Sequence, residues 1–419
     1  MAIWDKIKSK TKFDGTKITI SVLVSFMLIC VDYFFQNTKY PWLDNLMTFS
    51  LIEYVTGAKN RITFDDDSVF CVNVAHDKAL TTYSDRNHII RGNDVITDRE
   101  SLIKFLNIAA KANCKYIFLD IRFSKRHQTD IDSVLYATIL SIPNIVVSTH
   151  CEDDEYELAD EKLKSATGFA DYGVTLTTGF SRYEFLQEGE ASVALKMYRD
   201  IDNGDILKWY GLYVDKQTKH VCFNAPFIPI PRNLNRYKGE NTIRYPYLGS
   251  QLFNYFTEAE LLNMLKGKYV LIGDFDEDLH GTYVGDVPGP MLSFISYKFL
   301  KDGKNLFSIP LFLLMLLIYS AILYCILCDV RFKYCGQLIN WLYKKIGKIH
   351  HNWISAMLLF TLEFIRLILA LIGWSGVVFG ITFLSYIWFD VATISVLPTL
   401  AIAVISYIVS RIKNRKILP

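Results

Sequence analysis

The chain has 419 residues, 51% of them hydrophobic, with 45 Lys/Arg against 43 Asp/Glu and a formal net charge of +2. That length calls for at least two structural units, and the apolar share excludes a disordered chain, a small disulfide scaffold and a purely cytosolic enzyme. The near-neutral total conceals a strong segregation of charge along the chain.

A basic segment, residues 1–17, precedes the first apolar stretch, Ile18–Gln36, which is long enough to cross a bilayer. No small-x-small cleavage site follows it, so it reads as a retained signal anchor and not as a secretory peptide. A second span is predicted over Ile309–Cys328, with Pro310 in its first turn, where its missing N–H costs little. Two more are predicted over Ile368–Phe389 and Val391–Ser410, separated by Asp390. The apolar run before the third begins at Ile354, and one helix from there to Phe389 would be roughly 54 Å long, too much for a single crossing. Residues 329–367 are therefore read as a basic cytoplasmic loop and an interfacial helix, in which Glu363 and Arg366 pair at the membrane surface.

Charge supports this four-span layout. Residues 1–17, 329–353 and 411–419 together hold 14 Lys/Arg and 3 Asp/Glu, whereas 37–308 hold 30 and 37. The positive-inside tendency then puts both termini in the cytoplasm of a bacterial inner membrane and residues 37–308 outside. The basic loop is explained as a topology signal, so no nucleic-acid partner is expected. Cys71, Cys114, Cys151 and Cys222 of the outer segment match no zinc or disulfide spacing.

The outer segment is large enough for one core, and its pattern alternates strand and helix. A buried strand is predicted at Ser68–Ala75, a helix capped by Asp98 through Asn113, and a strand at Tyr116–Phe123. A helix at Asp132–Leu140 and a strand at Asn144–Thr149 follow, an order that implies right-handed crossovers in a largely parallel, mixed sheet. Hairpins are predicted for Gly173–Leu176 with Ser181–Leu186, and for Trp209–Val214 with His220–Phe223. The strand Lys268–Gly273, an acidic loop and a helix over Met291–Lys301 complete the segment, with only Asp302–Ser308 before the second span. The expected fold class is thus an α/β extracytoplasmic domain plus four transmembrane helices.

In order, VNVAHDKAL, TDRESLIKFLNIAAKANCKYIFLDIRF, TDIDSVLYATIL, NIVVSTH, FSRYEFL and NTIRYPYLG lead to the long stretch from LLNMLKGKYVLIG through DFDEDLHGTYVGDVPGP to the following helix. This series resembles the type-2 CHASE domain, an extracytoplasmic sensory module of bacterial receptors, over about residues 40–308. The resemblance implies one span before the domain, usually three after it, and a sensory role. Family receptors continue into an output domain, whereas this chain runs nine residues past Ser410, so a separate cytoplasmic or membrane effector is expected. Membrane lipids are the other expected partner, a homo-oligomer is compatible with the layout, and no cofactor is implied. A non-sensing scaffold subunit of a membrane complex is the alternative.

Three residues stand out as ligand-binding candidates. Asp120 and Arg122 share a face of one strand by alternation, and open sheets bind ligands at strand carboxyl ends. A structural ion pair involving Arg99 is the competing explanation; the resemblance puts Arg99 and Asp120 where the family keeps an arginine and an aspartate. Asp274, Asp276 and Asp278 alternate like the start of a calcium loop, with His280 nearby. Leu279 stands where such a loop needs glycine and Gly285 where it needs glutamate, so a solvated loop is expected there. The acidic run from His150 to Glu161 reads as an exposed loop. No nucleophile elbow, zinc-protease motif or phosphate loop occurs, so no catalytic residues and no enzyme activity are predicted.

Overall fold

A computed structural model describes residues 14–37, 66–84, 89–124, 127, 129–149, 160–174, 179–231, 234 and 245–328, with isolated positions beyond. Two compact units emerge, residues 37–306 and the flanking segments 1–36 with 307–419. Helix α1 (Gly15–Gln36) precedes the first unit and α7 (Ile309–Leu327) follows it.

The unit 37–306 is built on a five-stranded, wholly parallel sheet. In chain order its strands are β1 (Val69–Asn73), β4 (Tyr116–Leu119), β5 (Ile145–Thr149), β6 (Thr167–Phe169) and β14 (Tyr269–Gly273). In space the order is β1-β14-β4-β5-β6. Runs such as YIFL and YVLIG are buried at every position, as strands covered on both faces must be. Alternation splits them. Ile117, Leu119, Val270 and Ile272 face helices α2 (Arg99–Lys111), α3 (Asp132–Ser141) and α5 (Glu258–Leu265) through Leu102, Phe105, Leu135, Ile139, Leu261 and Leu265. Tyr116, Phe118, Tyr269 and Leu271 face α4 (Val193–Asp202) and α6 (Gly289–Lys301) through Leu195, Met197, Met291 and Phe294.

Antiparallel pairs form separate ribbons outside the sheet. They are β2 (Lys78–Ser84) with β3 (Ile90–Thr97), β7 (Tyr172–Val174) with β8 (Phe180–Tyr183), β9 (Leu186–Gln187) with β10 (Glu190–Ala191), and β15 (Leu279–Thr282) with β16 (Gly285–Pro288). A three-stranded sheet joins β11 (Ile206–Trp209), β12 (Leu212–Asp215) and β13 (Val221–Cys222).

Several sequence expectations need correction. The central sheet is not mixed, because the hairpins fold into ribbons of their own. The strand expected to reach Phe123 ends at Leu119, so Asp120 and Arg122 lie just past it. Trp209 and Val214 belong to two strands, since Tyr210 (φ 46°) and Gly211 (φ 85°) form a tight turn with both central residues at positive φ. The ribbon β2–β3 and helix α4 were not anticipated. Helix α4 begins at Ser192, whose hydroxyl accepts the Leu195 N–H at 3.2 Å, and ends in left-handed Asn203. Ser192→Ala is expected to lower stability by about 1 kcal/mol, read as an earlier denaturant midpoint at unchanged slope.

In the second unit, α1 and α7 have 22 and 19 residues and are long and apolar enough to cross a membrane. Phe26 lies against Phe312 and Tyr33 against Phe307, so the two helices run antiparallel. The face of α1 turned inward carries Ser21, Ser25, Ile29 and Asp32, and that of α7 Leu311, Met315, Tyr319 and Leu323. Small Ser21 and Ser25, four apart, permit close approach, while Leu23, Met27, Leu313 and Leu317 point outward. This apolar exterior is compatible with a lipid surround. The spans predicted at 368–389 and 391–410, and the segment 329–367, lie outside the described residues apart from isolated positions.

Candidate functional site

The sheet order creates a switch point between β14 and β4. After β4 the chain crosses to α3 on one face; after β14 it passes through β15–β16 to α6 on the other. Open α/β sheets bind ligands in the crevice outside strand carboxyl ends at such a place. Ile272 is level with both Leu119 and Val72, so Asn73, Gly273 and Asp120 terminate the three strands side by side. A Cβ on Gly273 would stand 2.6 Å from Pro290 and 3.1 Å from the Asp120 Cβ, which only glycine avoids.

A cavity of about 490 Å³ opens at these ends. Val74, Asp274, Asp120, Ile121 and Arg122 line it together with Arg99, Ser124 and His127. The ribbon β2–β3 covers it with Lys78, Tyr83 and Asp94–Thr97. All three sequence-predicted candidates, Arg99, Asp120 and Arg122, therefore line one cavity.

An ion pair and a histidine–carboxylate contact tie this surround together. Lys78 Nζ is 3.6 Å from Asp274 Oδ2, and His127 Nε2 is 2.9 Å from Asp94 Oδ2, with the His127 ring against Tyr83. The Asp94 carboxyl is held below its usual range chiefly by the Val95 N–H and then by His127.

Arg99 is only 3% exposed. It sits in the first turn of α2, which Asp98 caps by accepting the Glu100 and Ser101 N–H groups. Its carboxylate partner is Asp132, Nε to Oδ1 3.3 Å, and its guanidinium stacks over Phe123 at 4.7 Å. Asp132 in turn accepts the Thr129 N–H at 2.9 Å and hydroxyl at 3.0 Å. Burial pulls the Arg99 guanidinium below its ordinary range, and Asp132 works against that. Neither Nε nor Nη1 of Arg99 completes a hydrogen bond among the described residues. The partner that sequence reasoning missed is Asp132, whose one visible signal is an acidic residue in a helix's first turn.

The calcium-like aspartates diverge. Asp274 Oδ1 accepts the N–H groups of Asp276 and Glu277, while Asp276 accepts from Asn73 Nδ2 at 3.0 Å and the Tyr247 hydroxyl at 2.8 Å. Asp278 lies 2.9 Å from His280 Nε2, and Nδ1 of that ring meets the Tyr172 hydroxyl. Burial pushes the Tyr172 phenol up to about 12. Among the described residues no three His, Cys, Asp or Glu side chains are grouped to hold a metal. Residues 150–159 of the acidic run lie outside them.

No protein-family model, no curated protein and no solved structure matches the chain.

Proposed function

We propose that this chain is a bacterial inner-membrane sensor subunit of the type-2 CHASE kind its sequence resembles. In this reading residues 37–308 are periplasmic, both termini are cytoplasmic, and four helices cross the bilayer. The external domain detects a ligand or an envelope state and passes it through the membrane helices to a separate effector. The observation that carries the reading is the charged cavity at the carboxyl ends of β1, β14 and β4. From that cavity the chain continues without a long linker: β14 leads through β15–β16 to α6, and seven residues, 302–308, separate α6 from α7. A ligand that prefers one arrangement of the strand ends biases a two-state shift by its differential affinity, and a short junction transmits such a shift.

Inserting about six Gly/Ser residues between Leu306 and Phe307, where the domain ends, should uncouple the helices while leaving the domain folded, because linkers of that composition behave as flexible coil. The measurement is ligand-dependent disulfide crosslinking between cysteines placed in α1 and α7 of full-length protein in membranes. A response that survives the insertion overturns coupling through this junction. Protease added to intact spheroplasts should remove residues 37–308 and spare both termini; survival of that segment overturns the topology, and an unresponsive but correctly oriented domain supports a scaffold subunit.

A further inference from the structure

We infer that the three-stranded sheet β11–β12–β13 is a membrane-surface anchor, whose outer face, with Trp209 and Tyr210, seats in the headgroup layer of a phospholipid bilayer. This rests on the reading of α1 and α7 as membrane spans and adds a lipid contact made by the domain itself.

Register fixes what the two faces of this sheet carry. Residues directly opposite share a face, so the pairs Leu207 with Val214, Trp209 with Leu212, and Val214 with Val221 put five apolar side chains on one side. The other side carries Ile206, Tyr213, Asp215 and Cys222, all buried in the domain. A sheet with one face in the core ordinarily turns polar residues outward. Here the outward face is apolar too: Leu207 and Trp209 are exposed, and Leu212, Val214 and Val221 half-buried.

The turn repeats the anomaly. Tyr210 stands at φ 46°, a conformation that such a turn normally gives to Asn, Asp or Gly, and it is 91% exposed. Its ring lies against that of Trp209, itself 62% exposed, at 5.3 Å. The domain's own packing gains little from two large aromatic rings placed there.

The occupant is indicated by where the sheet is tied and by its rim. Helix α6 returns antiparallel to β14. It starts beside Gly273, where a Cβ would meet Pro290, and its later turns lie beside Tyr269, whose hydroxyl is 3.0 Å from that of Tyr297. Residues 305–306 are thereby carried toward the amino ends of the parallel strands, away from the cavity. There the Phe223 N–H donates to the Asn305 carbonyl, and Cys222 pairs with Leu306. The sheet thus continues directly from the chain's exit, and from Leu306 to the first residue of α7 is at most about 10 Å of chain. Trp and Tyr are the residues enriched at membrane–water interfaces. Lys208, Lys216 and Lys219 rim the patch and are exposed. The neighbouring acids face other groups: Asp205 lies 2.7 Å from Arg199, and buried Asp215 accepts from Thr218 and Tyr198. Apolar area with a cationic rim is what a phospholipid surface attracts.

The test places a photoreactive benzophenone amino acid at Trp209, and separately at Leu80, in full-length protein in bacterial membranes. Leu80, 70% exposed, is the control because its ribbon covers the cavity at the carboxyl ends of the strands. Irradiation followed by mass spectrometry should give phospholipid adducts at 209 in many times the yield found at 80. In a second variant, Trp209→Ser with Tyr210→Ser, the benzophenone sits at Leu207. Both replaced side chains are exposed, so the urea midpoint should stay near that of wild type. Its lipid yield should fall about tenfold against the same probe beside the native rings, as the lost burial of an aromatic side chain implies.

Adducts to a second copy of the chain or to another protein, in place of lipid, overturn the inference in favour of a protein partner. A yield at 209 no higher than at 80, or a yield at 207 indifferent to the double replacement, overturns it as well. Protease treatment of the same spheroplasts keeps the two claims apart. Removal of residues 37–308 without a lipid adduct at 209 retires the anchor and leaves the topology standing. Survival of that segment together with lipid adducts retires the periplasmic placement and leaves the anchor standing.

Discussion

Asp132→Ala should be among the most damaging single replacements in the domain, costing about 3–5 kcal/mol because it strands a buried guanidinium without its counter-charge. Arg99 and Asp132 are each nearly inaccessible to solvent, and they join the first turns of α2 and α3 beside the end of β4. Asp132 also fastens Thr129 through the backbone and hydroxyl, so alanine removes a charge and two accepted hydrogen bonds together. Asp132→Asn keeps an acceptor for Thr129 and should fall between wild type and alanine. Replacing both partners with apolar residues of similar volume, Arg99→Met with Asp132→Leu, should recover most of the loss, since a buried pair rarely exceeds a well-packed apolar substitute. Urea denaturation followed by fluorescence of the full chain in detergent measures all three. If the double variant were as unstable as Asp132→Ala, the damage would come from packing around Phe123 and not from the uncompensated charge.

The parts legible in the sequence are those where local chemistry and burial agree. The runs VFCVN, YIFL, IVVST and YVLIG are strands because they are buried on both faces, and composition alone carries that signal. Asp98 is readable as a cap because its carboxylate accepts the N–H groups two and three residues on. The spatial order was not legible. Strand β14 inserts between β1 and β4, which precede it by some 200 and 150 residues, and no local pattern records that pairing. Nor was the cover of the cavity legible. Ribbon β2–β3 is largely solvated, with Leu80 and Val95 paired across it yet exposed, so it lacks the alternation of a half-buried strand. Asp120 and Arg122 stood out as charges in an apolar run and Arg99 through the family resemblance, but Lys78, Asp94 and His127, which the ribbon and the segment after β4 bring to them, gave no such cue. Helix α4 did carry a signal in Val193, Leu195, Met197 and Tyr198, and a serine cap before it; the hairpins expected on either side obscured it.

Asn224→Leu should rival the Asp132 replacement and act where the chain enters and leaves the domain. Asn224 is fully buried, its Oδ1 accepting the Leu186 N–H and its Nδ2 donating to the Leu186 carbonyl, both at 2.9 Å. Leucine fills a similar volume but leaves that N–H and carbonyl buried without partners, at about 1–3 kcal/mol each. The same short segment holds both ends of the domain. The Asn224 N–H donates to Asn37 Oδ1 at 2.6 Å, the Phe223 N–H donates to the Asn305 carbonyl at 2.8 Å, and Cys222 pairs with Leu306. Displacing 222–224 should therefore loosen residues 37 and 305–306 together. Hydrogen exchange should report faster exchange at both places in the leucine variant, with the β4 and β14 amides retaining most of their protection. Faster exchange confined to Leu186 would mean that the two ends are fixed independently of Asn224. Loss at both ends would identify 222–224 as a shared anchor for residue 37 and residues 305–306.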